Sequence, residues 1–271
     1  MNFFKMVCKI LFLFSLSNCS NAFKDLASSD KDTELLIEAK ANINSFSYTN
    51  AITILTIQVS LSSQTKTEFR ETLASAYAGK CGLNFANFVN SLATSPPGGS
   101  AFTLVMTPFV GLDVDPASCL LSLNTMQLIG DTPARNTNQN AFVSVVGMSL
   151  MGTQTRTSAD VNPLNGDGAV DQNLCTLTDP VIDNIILGFG FMSKNFSALS
   201  TAQVGAGTQT SINDSISQCL AVAGTTCQIT NAADITAAVR NTMRDLLNTV
   251  EYGLGAVVTG GNPVAIAAAC P

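Results

Sequence analysis

The sequence predicts an all-α fold, a compact bundle of roughly nine or ten helices, and three observations carry that expectation. Apolar residues recur at spacings of three and four along several stretches, the period that gathers them on one face of a helix. Proline directly follows a capping residue at Asp115-Pro116, Thr132-Pro133 and Asp179-Pro180. There a side-chain oxygen can accept from orphan amides, and the ring is tolerated at the first helical position. No stretch shows the polar–apolar alternation of a half-buried strand.

Taken in order, TELLIEAKANINSF (33–46) and TNAITILTIQVS (49–60) are the first two periodic segments. KTEFRETLASAYAG (66–79) follows and is stopped by Gly79, and NFANFVNSLA (84–93) ends before the breaker SPPGGS. The three proline-marked starts come next. SINDSISQCLAV (211–222) and AADITAAVRNTMRDLLNTVEYGLGAVV (232–258) complete the set. Four segments, ASAYAG, GMSLMG, GFGFMS and YGLGAV, are dense in small residues. Glycine inside a helix costs about 1 kcal/mol against alanine, so these need a reason. Close helix–helix packing supplies one; a shared apolar tunnel lined by these faces is the other.

Only 12% of the 271 residues are charged, about half the roughly 25% of a typical soluble domain. Ser, Thr, Asn and Gln must therefore build much of the surface. The net charge is −6, and loss of Lys5 and Lys9 with the leader makes it −8. Without a basic stripe to neutralise phosphates, nucleic acid is not an expected partner. The chain has no His, which excludes Ser-His-Asp and Cys-His mechanisms and imidazole-ligated metals. Chemistry would have to use carboxylates, Lys, Tyr, Ser or Cys.

The opening, MNFFKMVCKILFLFSLSNCSNAF, has a positive start and a short apolar run. That run is well short of the roughly 20 residues needed to span a bilayer and has the form of a secretory signal peptide. Leu16-Ser17-Asn18-Cys19 resembles the lipobox of bacterial lipoproteins, in its looser spirochaete form, with Asn18 where Gly or Ala is usual. The resemblance implies cleavage before Cys19 and a diacylglycerol on its thiol. Ser20-Asn21-Ala22 offers a competing small-x-small exit that would release a soluble protein from Phe23. The expected organisation is a signal peptide over 1–18, a lipidated Cys19 and tether over 19–32, and one helical domain over 33–271.

Of eight cysteines, Cys8 lies in the leader and Cys19 at its exit. Six remain for the folded part: Cys81, Cys119, Cys175, Cys219, Cys227 and Cys270. An even number in an exported chain suits three disulfides, with 15 pairings open. Cys219 and Cys227, bracketing LAVAGTT, are the local choice. No Cys-x-x-Cys pair exists, so structural zinc lacks its usual spacing.

Leu73-Ala74, Tyr77, Ala86, Ala93 and Pro96 or Pro97 follow the order of a tetratricopeptide helical hairpin. Arg70 and Asn90 stand where that repeat has Trp and Phe, and no second copy lies 34 residues on. The stretch ADVNPLNGDGAVDQN (159–173) resembles a calcium loop of the EF-hand or dockerin kind. Asn165, Asp167, Gly168 and Asp171 take its third, fifth, sixth and ninth positions. Pro163 and Leu174 occupy the first and twelfth, where acids belong; Asp160 or Asn162 could supply a ligand by another loop path. A turn-rich connection explains the same residues by backbone preference. Arg240, Arg244 and Asp245 are read as a solvated helix face, and Asp183 as a first-turn carboxylate favoured by the helix dipole.

These readings converge on an exported bacterial lipoprotein, held at the cell envelope or outer membrane by its lipid, acting as a non-catalytic binding module for a protein or small ligand. A secreted or periplasmic carrier of an apolar ligand and a carboxylate-dependent hydrolase are the alternatives.

Overall fold

The computed structural model describes residues 31–95, 100–162, 164–249, 253–254 and 270. The leader, Cys8, Cys19, Pro96, Pro97 and Pro163 lie outside them. The described residues form twelve α-helices and no strand, the all-α fold that the periodicity predicts. The number exceeds nine or ten through short pieces such as α3 (Leu61–Gln64) and α10 (Thr201–Val204). The chain divides into two compact units, 1–69 and 70–271.

The first unit contains α1 (Lys31–Asn44), α2 (Tyr48–Thr53) with a π turn over Ile54–Gln58, and α3. Its interior is Leu35, Leu36, Ala39, Ala51, Ile54, Leu55, Val59 and Phe69. The buried Asp32 accepts from the Ser60 amide at 3.1 Å and from the Ser60 hydroxyl. Hydrogen bonds from Ser60 and Ser63 hold its carboxyl below the usual value, so the start of α1 is stapled to the N-cap of α3.

In the second unit, α4 (Thr67–Lys80, from Arg70) runs one residue past Gly79 and is followed by α5 (Phe85–Thr94) and α6 (Ala101–Met106). Leu73, Ala74 and Tyr77 lie on α4, and Ala86 and Ala93 are exposed on α5. Next come α7 (Pro116–Gln127), α8 (Thr137–Ala159), α9 (Asp179–Asn195), α10, α11 (Ala206–Ala223) and α12 (Ala237–Leu247). Every residue of α8 from Val143 to Arg156 is buried. A helix covered on all sides is a core helix, and α6, α7 and α9 pack around it.

The small residues are explained by close approach. A Cβ on Gly147 of α8 would lie 2.7 Å from the Gly188 carbonyl oxygen of α9, and one on Gly188 would lie 2.8 Å from the Gly147 carbonyl oxygen. Gly152 meets the Val105 backbone in the same way. These faces are filled by neighbouring main chain. The hydroxyls of α8 cope with burial by donating one turn back: Ser149 to Val145 O and Thr155 to Met151 O, each at 2.8 Å.

One of the three proline-marked starts is found as expected. Asp115 caps α7, its carboxylate accepting from the Ser118 amide and hydroxyl at 3.3 and 2.7 Å. At Asp179-Pro180 the helix begins one residue earlier than expected, with Thr178 as N-cap. Thr132-Pro133 starts no helix. Its segment is a tight turn in which Ala134 and Arg135 donate to Asp131 O, and α8 begins at the reciprocal cap of Asn136 and Gln139. Two mutual side-chain bonds satisfy more orphan donors than a proline start can.

The solvated-face reading of α12 is corrected. Arg240 holds Asp183 of α9 by two bonds, at 2.6 and 2.9 Å. Arg244 donates to Asp179 at 2.6 Å and to Leu177 O at 3.0 Å. A planar guanidinium matches a carboxylate in this forked way, which single-helix reasoning could not foresee.

Gly147→Ala is expected to lower stability despite its better helix propensity. The clash with α9 costs about 1–3 kcal/mol against a gain of about 1 kcal/mol; urea unfolding reads the balance. The Arg244 hydrogen bond, aided by the charges of Arg240 and Arg244, holds the Asp179 carboxyl below its ordinary 3.8. Its stabilisation is present above that ordinary value and is lost as pH falls through the depressed one. Arg244→Gln should therefore lower the melting midpoint at pH 7, with the gap to the native protein narrowing as pH falls below 3.8.

Candidate functional site

All six cysteines of the folded part pair. Cys219–Cys227 is the bridge expected from spacing, and Cys81–Cys119 and Cys175–Cys270 complete the set. Their separations, in that order, of 8, 38 and 95 residues correspond to roughly 2.5, 4 and 5 kcal/mol in a loop-entropy account. Cys81–Cys119 is fully buried, with the Thr153 hydroxyl 3.9 and 3.8 Å from its sulfurs. Cys270 also donates its amide to Asp245 of α12 at 2.9 Å.

The loop after α8 wraps a carboxylate. Asp160, fully buried at the end of α8, accepts from the amides of Asp167 at 3.0 Å and Gly168 at 2.8 Å. Asp171 accepts from the Val161 and Asn162 amides at 2.9 and 2.7 Å, and Asp167 from Ala169 at 2.9 Å. Asn165 gives its carbonyl to the Gly111 amide at 2.8 Å. The NGDG stretch is needed because Asn165, Gly166 and Gly168 have φ of +73°, +77° and +92°. A side chain on Gly166 would strike the Asp160 carboxylate. The carboxylates of Asp160, Asp167 and Asp171 are thus engaged by main-chain amides. Among the described residues, no group of three or more acidic or cysteine side chains gathers as a metal shell.

A concavity lies elsewhere, an open cleft of about 920 Å³. One side is the end of α7, with Leu120, Asn124 and Gln127, continuing into Asp131–Arg135. The other is the end of α9, with Leu187, Phe191, Lys194 and Asn195, and the strip Gln228–Ala232. Three contacts set that strip. Cys227 is fixed by its disulfide, the Ser193 hydroxyl donates to Cys227 O at 2.9 Å, and Gly190 lets the Ile229 backbone lie directly against α9. Gln127 donates to Thr230 O at 3.0 Å and Lys194 to the Thr230 hydroxyl at 3.3 Å, crossing from α7 and α9.

Arg135, 7% exposed, is the buried charge of this cleft. It donates to Gly130 O, to Asn140 at 3.0 Å, to Thr132 at 3.4 Å and to Asn195 at 3.2 Å. Asn195 is itself held by its amide to Phe191 O at 2.7 Å. All four acceptors are neutral. Burial lowers the Arg135 pKa while Asp131 opposes that shift. Among the described residues, Asn124 and Gln228 make no side-chain hydrogen bond, so their amides are free for a ligand.

The cleft therefore combines free amides, hydroxyls, two cations and one carboxylate with an apolar contact at the half-buried Leu120. Such a surface is suited to hydrogen-bonding a polar ligand. Its single acid, Asp131, has no second carboxylate in the lining, as two-acid glycoside chemistry requires. Sequence reasoning missed the site because its three segments lie up to about a hundred residues apart and none carries a motif. No protein family, curated protein or solved structure matches this chain.

Asp160→Ala is expected to cost about 1–3 kcal/mol by orphaning two loop amides, read by chemical denaturation. The midpoint of the native protein should be the same in excess calcium and in excess EDTA.

Proposed function

We propose that this protein is an exported, lipid-anchored binding module of the cell envelope, acting without catalysis through the cleft between α7 and α9. The observation that carries the reading is the complete pairing of its six folded cysteines, since such bridges persist in oxidising compartments. The leader and the Leu16-Ser17-Asn18-Cys19 motif supply the route and the anchor. Acyl chains, worth about 0.8 kcal/mol per buried methylene, would hold the domain on a membrane surface. No described helix is long and apolar enough to cross a membrane. The open, amide-lined cleft supports a polar ligand, and the glycine faces filled by main chain give an apolar carrier no cavity there.

Palmitate should label the wild-type protein in its native host and fail to label Cys19→Ala; a wild-type protein that still began at Met1 would remove the anchor. Binding is tested separately by thermal melting of the soluble domain against saccharides, short peptides and fatty acids. Polar ligands should raise the midpoint of the native protein. They should leave that of Ala232→Trp, which fills the cleft from an exposed position, unmoved. Equal shifts in both proteins, or none in either, would end the cleft reading.

A further inference from the structure

We infer that the cleft selects an anionic, hydroxylated ligand of the sugar-acid class, a carboxylate carried on a polyol frame. This deepens the binding-module reading and rests on it. The charge argument comes first. Arg135 is buried with four neutral acceptors, and Lys194, at the end of α9, lines the same cleft and donates to the Thr230 hydroxyl. Asp131 is the one acid in the lining, so the cleft holds a net positive charge inside a chain of net charge −6. A cation removed from water without an ion pair is costly. A carboxylate entering the cleft recovers that cost through charge-assisted hydrogen bonds. These four bonds leave one of the five guanidinium hydrogens of Arg135 for it.

The rest of the lining decides what carries the carboxylate. Asn124 and Gln228 offer free primary amides, which both donate and accept, as alternating sugar hydroxyls require. Leu120, half-buried at the edge of the cleft, provides an apolar contact for the carbon face of a ring. An inorganic anion would leave these groups unused, and a fatty acid would bury free amides unpaired. A hydroxylated acid uses both halves of the site.

Two exposed residues allow a test whose signs are opposite and which leaves the buried Arg135 network intact. Titration calorimetry compares trigalacturonic acid, its neutral methyl ester and sodium acetate on the native soluble domain. The acid should bind about tenfold more tightly than the ester, the scale of one charge-assisted contact, and acetate should bind far more weakly than either. Lys194→Met should weaken the acid several-fold and leave the ester unchanged, while Asp131→Asn should tighten the acid by about threefold. Equal affinity for acid and ester, or shifts of the same sign in the two variants, would overturn the anion selectivity while the cleft reading stood. Binding of neither saccharide would overturn the sugar-acid class; the separate comparison with Ala232→Trp then decides whether the cleft binds anything at all.

Discussion

The contact on which the second unit depends is the crossing of two backbones at Gly147 and Gly188. Each glycine stands where a single methyl group would meet the other helix's carbonyl oxygen. This lets α8 and α9 lie closer than side chains permit, and it sets the line along which the other helices pack. With α9 drawn in, its end carries Phe191, Lys194 and Asn195 to the turn that precedes α8. Arg135 reaches Asn195 only because that approach has been made. The geometry of the cleft is thus a consequence of two absent side chains more than forty residues apart.

A second constraint is polar. This chain has few charges and many hydroxyls and amides, and the fold buries a fair number of them. Most are given a partner: hydroxyls of α8 return to their own helix, Gln139 closes a cap and reaches Glu71 at 2.6 Å, and Gln154 accepts from Asn184 at 2.9 Å. The Ser215 hydroxyl and Arg156 Nε, by contrast, are buried without one among the described residues. Asp160 is met by loop amides, and Arg135 by carbonyl and amide oxygens. A buried polar group is expensive only when unpaired, so a weakly charged sequence can still fill a core. The same habit leaves a cleft in which the amides of Asn124 and Gln228 are unpaired among the described residues.

Helices were legible wherever one face alone is buried, as in 33–46, 84–93 and the middle of 232–258, where the described helix spans Ala237–Leu247, because apolar periodicity then reports the packing directly. Gly147, Gly152, Gly188 and Gly190 were legible as needing a reason, and close packing was among those weighed. The proline-marked starts were legible once in three, since Pro133 serves a turn as well as it serves a helix. Local spacing found Cys219–Cys227 but could not find Cys175–Cys270, whose partners are 95 residues apart. The spacing of 165–171 fitted both a cation loop and a turn-rich connection, and the loop folds around a carboxylate of its own chain. A pattern of Asn, Gly and Asp records that a tight turn is needed, not what the turn encloses.

By itself, then, the sequence determined the helical class, the local Cys219–Cys227 pair and the absence of imidazole chemistry, since each follows from composition or short-range order. Tertiary structure alone decided which helices meet backbone to backbone, which cysteines pair over long distances, and that Arg240 and Arg244 of α12 face Asp183 and Asp179 of α9. It also decided where a cleft opens. The reason is one of range: periodicity and capping are local free energies, whereas a binding surface assembled from 120–135, 187–195 and 228–232 exists only after three distant segments have been brought together by packing.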